Sequence, residues 1–167
     1  MKIIIIYNSK TGFTKKYAHW IAEELNCNVL PYDEFLQADK TDITKNDIII
    51  FGSGILAGKI WHLDKIKTHF ASHKNLIIFA TGATPAAETE TITKVWASNL
   101  TEDEAKRIPH FYMQSGLNYE KMGFLNRLVM KAVAKLSGDK NGIGSSFDVS
   151  SKEYIVPLVN FVKSIVS

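Results

Sequence analysis

Six consecutive residues near the start of the chain, Ser9-Lys10-Thr11-Gly12-Phe13-Thr14, place three hydroxyls, one glycine and one cation between an apolar run and an amphipathic one. At a strand-to-helix turn this set can aim the Ser9, Thr11 and Thr14 oxygens and several backbone N–H groups at a single phosphate, backed by the positive end of the helix dipole. Gly12 lets the chain come close to the anion. The low charge of the turn suits a terminal monophosphate better than a triphosphate carrying Mg²⁺. The competing reading is structural: a threonine that caps the helix, among neighbours that hold no ligand.

Other chemistries lack their residues. A dinucleotide fold wants Gly-x-Gly-x-x-Gly at this turn, which has one glycine. A phospho-accepting receiver wants acidic residues where the first and third apolar runs end, and those ends read Tyr7-Asn8-Ser9 and Phe51-Gly52-Ser53. Gly58-Lys59 is a near miss to a triphosphate loop, with Ser53 in place of the earlier glycine and Ile60 in place of the hydroxyl. Ser53 is not in a Gly-x-Ser-x-Gly elbow. His19, His62, His69, His73 and His110 are scattered, without a pair at zinc-ligand spacing beside a carboxylate.

The elements that must position the turn are legible as five short apolar runs: Ile3 to Tyr7, Cys27 to Leu30, Ile48 to Phe51, Leu76 to Ala80 and Ile108 to Met113. Most are continuously apolar, as strands covered on both faces are. Between them, Thr14 to Leu25 is amphipathic, with Tyr17, Ala18, Ile21, Ala22 and Leu25 at helical spacing. His62 to Ser72 and Glu88 to Leu100 are further helix candidates, and Thr101-Glu102-Asp103-Glu104 reads as a capping box for a short helix that stops before Pro109. The alternation predicts an α/β fold, a doubly wound five-stranded parallel sheet of order 2-1-3-4-5 with helices on both faces, formed by residues 1–167 as one domain.

About 35 residues separate the last predicted strand from the C-terminal helix at Lys152 to Val166, where a few would do. They hold an amphipathic stretch, Lys121 to Leu136, whose Met122, Leu125, Val129, Ala132, Val133 and Leu136 can pack while Arg127, Lys131 and Lys135 form a basic stripe. A glycine-rich loop, Ser137 to Gly144, follows. Pro157 is a candidate irregularity in the last helix.

Composition bounds the rest. The chain has 167 residues, 46% hydrophobic and 22% charged, which suits one globular domain. A single cysteine, Cys27, forbids an intrachain disulfide and fits a reducing, cytoplasmic setting. The start, MKIIIIYNSKTGF, is too short in apolar residues for a secretory signal and reads as a first strand, and no stretch approaches the roughly 20 apolar residues of a bilayer span. A net charge of +3 is too small a surplus for a nucleic-acid partner. The surplus concentrates between Lys121 and Lys140, with five basic residues and one acidic.

SKTGFT after the first strand resembles the phosphate loop of the flavodoxin family. Two later loops match by position, Gly52-Ser53-Gly54-Ile55-Leu56-Ala57-Gly58-Lys59-Ile60-Trp61 and Thr81-Gly82-Ala83-Thr84-Pro85-Ala86-Ala87. The resemblance implies FMN, with its phosphate in the Ser9–Thr14 turn and its ring held by backbone groups of Ile55, Leu56, Ala57 and Gly58 after Gly54, and of Thr81, Gly82, Ala83 and Thr84. Flavodoxins usually stack aromatic rings on the flavin. Here Trp61 is the one aromatic near the ring loops, and it is either a ring contact or helix-packing core. A more open ring face shifts weight from a pure carrier toward an enzyme.

The segment GLNYEKMGFLNRLVMK, ending in KLSGD, is similar to the insertion of menaquinone-dependent protoporphyrinogen dehydrogenases in the flavodoxin superfamily. That likeness implies FMN-dependent oxidoreduction with a quinone or small redox substrate, and residues 116–149 as an elaboration near the flavin. By carry-over, Tyr119, Arg127, Met130 and Lys131 become substrate or partner contacts, the basic stripe facing substrate carboxylates or lipid headgroups in a peripheral membrane contact. The loop Ile55-Leu56-Ala57-Gly58-Lys59 lacks the aromatic and arginine of some members. The alternatives are an electron carrier that docks on redox proteins, which in this fold is often strongly acidic, and a flavin-binding regulatory module.

Overall fold

The protein is described from a computed structural model, which covers residues 1–137 and 146–167. Residues 138–145, which include most of the glycine-rich loop, and the side chains of Leu125, Asn126, Val129, Val133, Ala134 and Ser137 lie outside the described set. In chain order the elements are β1 (Ile3–Asn8), α1 (Phe13–Leu25), β2 (Asn28–Pro31), α2 (Tyr32–Gln37), α3 (Lys40–Thr44), β3 (Ile48–Leu56), β4 (Lys59–Ile60), α4 (Leu63–His69), β5 (Leu76–Gly82), α5 (Thr89–Asn99), α6 (Glu102–Arg107), β6 (His110–Gln114), β7 (Gly116–Leu117), α7 (Phe124–Ser137), β8 (Phe147–Asp148) and α8 (Val156–Val166), the last entered through a 3-10 turn at Lys152–Ile155.

Five strands form a parallel sheet in the order β2-β1-β3-β5-β6, the expected 2-1-3-4-5 once only parallel strands are counted. Side chains alternate across it. Ile5, Ile48, Ile50, Ile77 and Phe79 pack under α1 and α8 through Tyr17, Ile21, Leu158 and Val162. Ile6, Ile49, Phe51 and Ile78 face the other way, onto Tyr32 and Phe35 of α2, Ile43 of α3, and Leu63 and Ile66 of α4. Burial on both faces is what the unbroken apolar runs require.

Strand order reverses between β1 and β3. Connections leave the sheet in opposite directions there, so the strand ends open onto a crevice.

Local chemistry sets the ends of several elements. The capping box of α6 is formed: Glu104 N–H donates to Thr101 Oγ1 at 3.2 Å and Thr101 N–H donates to Glu104 Oε2 at 2.9 Å. Pro157 sits in the first turn of α8, where its missing N–H costs no helical bond, and the irregularity is the 3-10 turn before it.

Three features differ from the expectation. β3 runs on to Leu56 and folds back into β4, antiparallel to it, where a plain loop was expected. Gly116–Leu117 pairs antiparallel with Phe147–Asp148, forming a two-stranded ribbon of its own. In α7, Ala132 and Leu136 are exposed and do not pack.

Gly52, in the middle of β3, is required by a close approach: a Cβ there would overlap the Phe79 ring on β5. Gly52→Ala should therefore destabilise the protein by about 1–3 kcal/mol through overpacking. In urea unfolding, adding Phe79→Leu to Gly52→Ala should return part of that loss, although Phe79→Leu alone destabilises.

Candidate functional site

The turn between β1 and α1 is shaped from within. Gly12 N–H donates to Ser9 Oγ at 3.2 Å, and Gly12 takes φ +98 with open space where a Cβ would be, so glycine is needed here for conformation and not for room. No side chain caps α1, and its first turn holds no acidic residue. The leading N–H groups of a 13-residue helix thus lack a side-chain acceptor, which favours an anion. Thr14 does not fill that role: its hydroxyl is buried and lies 2.8 Å from Thr81 Oγ1. A Cβ on Gly54 would sit 3.9 Å from both hydroxyls, so the ends of the first, third and fourth parallel strands meet at one point.

The second wall is the β3–β4 hairpin. Its two turn residues, Ala57 (φ 49) and Gly58 (φ 76), are both left-handed, as a tight I′ turn demands. Asn99 at the end of α5 pins the hairpin, accepting from Ile60 N–H at 2.9 Å and donating to Gly58 O at 2.7 Å. Beyond it, Trp61 N–H donates to Gly54 O at 3.3 Å, and Lys10 Nζ from the opposite turn lies 3.3 Å from the Trp61 ring centroid, within cation–π range. His62, also left-handed, stacks on Tyr32 with ring centroids 4.3 Å apart. Burial, then the cations Lys65 and Lys10, hold its pKa below the ordinary histidine value.

The third wall begins at Thr81, Gly82 and Ala83. Tyr112 OH donates to Thr84 O at 2.6 Å and Ala86 N–H donates to Gln114 Oε1 at 2.8 Å, fixing the turn after β5 to β6. Ser115 N–H donates to Gly82 O at 2.8 Å and leads into the β7–β8 ribbon, where a Cβ on Gly116 would overlap the Phe147 carbonyl. Asp148 of β8 pairs with Lys16 of α1. Burial opposes ionisation of Asp148, but hydrogen bonds from Lys16 and Ser150 together outweigh it and hold the carboxyl below its usual range.

Between these walls lies a cleft of about 620 Å³, open mouth included. Lys10, Thr11, Phe13, Thr14, Gly54, Ile55, Leu56, Trp61, Thr81, Gly82 and Ala83 line it. Ser9 and Gly12 shape its turn from behind, Ala57 and Gly58 form the hairpin tip outside the lining, and Thr84 is held by Tyr112. Among the residues read from the insertion, Arg127, Met130 and Lys131 lie on α7 away from the lining. Arg127 Nη2 donates to Glu120 O at 3.0 Å, and Tyr119 N–H donates to Ser146 Oγ at 3.1 Å.

Asn8, Ser115, Gly116, Leu117, Asn118 and Met122 complete the lining; none was singled out as a site residue from the sequence, although Gly116 to Met122 fall within the elaboration expected beside the ring. Asn8 was open to detection, as the last residue of a strand that ends at the crevice; its Nδ2 donates to Ser53 Oγ at 3.2 Å. The others arrive through the ribbon, for which a two-residue strand leaves no periodic signal. Cys27 is remote from the cleft lining, and burial pushes its thiol up to about 11, so it stays protonated.

A family model described as "Flavodoxin domain" matches residues 4–142. The chain belongs to the flavodoxin-domain family. Solved structures similar to this flavodoxin-domain protein include a flavodoxin from the domain Archaea, at 17% identity over 82% of this chain and 99% of that one (TM-score 0.44). A flavoprotein from Lactobacillus acidophilus NCFM in complex with FMN is 18% identical over 68% and 91% (TM-score 0.47), and oxidised Flavodoxin 1 from Bacillus cereus is 12% identical over 83% and 99% (TM-score 0.41). No curated protein matches the chain. Family membership rests on the family model.

The residues of this flavodoxin domain fit a group with one terminal phosphate and a flat ring. The uncapped start of α1 and Lys10 suit the anion, and Ile55, Leu56, Trp61, Leu117 and Met122 supply apolar surface for the ring.

Two outcomes follow for the walls. Asn99→Ala removes both hairpin bonds and should lower stability by about 1–2 kcal/mol, with hydrogen exchange accelerated most at Ile60 and Trp61. Asp148→Asn should cost at most about 1 kcal/mol because the pair is half exposed. Since the folded carboxyl titrates below its unfolded value, that contribution is present above the unfolded pKa and lost as pH falls through the folded one. Parent and Asp148→Asn thermal midpoints should therefore converge in acid and separate near neutrality.

Proposed function

We propose that this protein holds FMN in the cleft and passes electrons between a reduced donor and a quinone-like acceptor in the cytoplasm. The observation that carries the reading is the convergence of three strand-end turns on one cleft, with Thr14 and Thr81 joined at 2.8 Å where they meet. The backbone N–H groups of the Ser9–Thr14 turn and the leading turn of α1 would bind the phosphate, and the Lys10 cation offsets its charge. Ile55, Leu56 and Trp61 would cover one side of the ring and exclude water from it. Thr81, Gly82 and Ala83 offer small side chains and backbone groups at its edge.

When bound, FMN supplies reversible electron or hydride transfer. The protein's share is orientation and access. With Trp61 as the one aromatic from the ring loops, a second reactant reaches the cleft past Leu117, Asn118 and Met122, an apolar and adaptable wall. That wall suits a flat, apolar acceptor. The likeness of residues 116–138 to the insertion of menaquinone-dependent protoporphyrinogen dehydrogenases supports protoporphyrinogen as the first donor to try. A net charge of +3 favours this reading over an acidic carrier.

The test is a visible spectrum after FMN addition and desalting, then anaerobic reduction and reoxidation by a water-soluble quinone. Retained flavin with rapid quinone-dependent reoxidation is expected, and Thr11→Ala should weaken FMN by roughly tenfold through one lost charge-assisted hydrogen bond. Retained flavin with sluggish reoxidation would identify a carrier. Loss of all flavin on desalting would overturn the reading.

A further inference from the structure

Of the described residues that line the cleft, Lys10 alone carries a charge. Its ammonium lies 3.3 Å from the centroid of the Trp61 ring, on the side of the cleft where Ile55, Leu56 and Trp61 supply apolar surface. Among the described residues it forms no ion pair. The uncapped start of α1 already offers N–H donors to an anion, and Lys10 reaches from that turn to the opposite wall. After burial and Lys65, Lys10 is the next influence that holds the His62 pKa below the ordinary histidine value, so its field is felt on the hairpin side. The nearby carboxylates are placed elsewhere: Asp148 pairs with Lys16, and Asp33, whose field also reaches His62, lies outside the lining.

The ring of FMN is uncharged when oxidised. A hydride accepted from the reduced donor brings two electrons and one proton, and it leaves one negative charge on the ring unless a second proton follows. Apolar walls penalise that charge, whereas a cation beside the ring favours it. No carboxylate in the described lining opposes Lys10, which fixes the sign of its effect. The phosphate carries the same charge in both redox states, so the attraction of Lys10 to it cancels from the difference between oxidised and reduced binding.

We propose that Lys10 is the charge partner of the reduced ring, through which the cleft holds reduced FMN more tightly than it would with a neutral residue at this position. The inference rests on the FMN reading above and deepens it. By favouring the reduced state, Lys10 raises the midpoint potential of the bound cofactor and so helps it to take a hydride from the donor.

The experiment compares the FMN-loaded full chain with Lys10→Gln and Lys10→Arg. Affinity for oxidised FMN is read from quenching of flavin fluorescence, and the two-electron midpoint potential from anaerobic equilibration with a reference dye; together they give the affinity for reduced FMN. Lys10→Gln is expected to lose about tenfold more affinity for reduced than for oxidised FMN, a fall in midpoint of about 30 mV. Lys10→Arg, which keeps the charge, should stay close to the parent. Riboflavin, with the same ring and no phosphate, should show the same difference between redox states. Equal loss for both states, with the midpoint unmoved, would make Lys10 a phosphate residue alone and overturn the proposal. So would a difference that vanishes with riboflavin, or one that Lys10→Arg shows as strongly as Lys10→Gln. Parent protein that retains no FMN sinks the FMN reading and this inference together, whereas retained FMN with rapid quinone-dependent reoxidation and an unmoved midpoint in Lys10→Gln sinks this inference alone.

Discussion

Burial of β1, β3 and β5 on both faces is the constraint from which the rest follows. Residues such as Ile49, Ile50 and Phe51 point alternately to opposite faces and are all fully buried, so helices must cover the sheet on each side. Parallel strands joined through such helices bring every strand-to-helix turn to one rim. Polar backbone that cannot be buried along the strands collects there, and the reversal of order between β1 and β3 keeps the rim open. The cleft is therefore a by-product of covering the sheet, and its chemistry is set by which residues occupy the turns.

The core and the turns were legible for different reasons. Unbroken runs such as IIIIY and IIIF declare strands covered on both faces, and the 3.6-residue recurrence of Tyr17, Ile21 and Leu25 declares the helix that covers them. The order then follows from few choices. The Ser9–Thr14 turn was legible as the connection from strand to helix because hydroxyls and a glycine there separate an unbroken apolar run from an amphipathic one. One detail was not: Thr14 turns its hydroxyl inward to Thr81, a partner 67 residues away that only the register of β1, β3 and β5 brings within reach.

What escaped the sequence was short and non-local. Strands of two residues, Lys59–Ile60 and Gly116–Leu117, are below any periodicity, and their existence depends on pins from elsewhere. Asn99 fixes the first through Gly58 and Ile60, and Asp148 with Lys16 fixes the second. The apolar positions of α7 were legible as an amphipathic pattern, but a pattern does not say whether a partner element exists. Of the positions described, Ala132 and Leu136 are displayed instead of buried, whereas Met122 lines the cleft.

Helix α1 links these levels. Its uncapped start lines the cleft, its buried face packs under the sheet, and its solvent side holds the returning chain through Lys16 and Asp148. Tyr17 adds a second tie, since its hydroxyl donates to Gln114 O and accepts from Ser151 N–H at 3.2 Å. These bonds lock the end of β6 and the entrance to α8 to the same helix that would carry the anion. Between those anchors the chain is free to form the β7–β8 ribbon and to carry α7 without disturbing the Ser9–Thr14 turn. A segment held at both ends can vary its surface chemistry at little cost to the core, which is where a fold of fixed geometry can acquire a partner or substrate of its own.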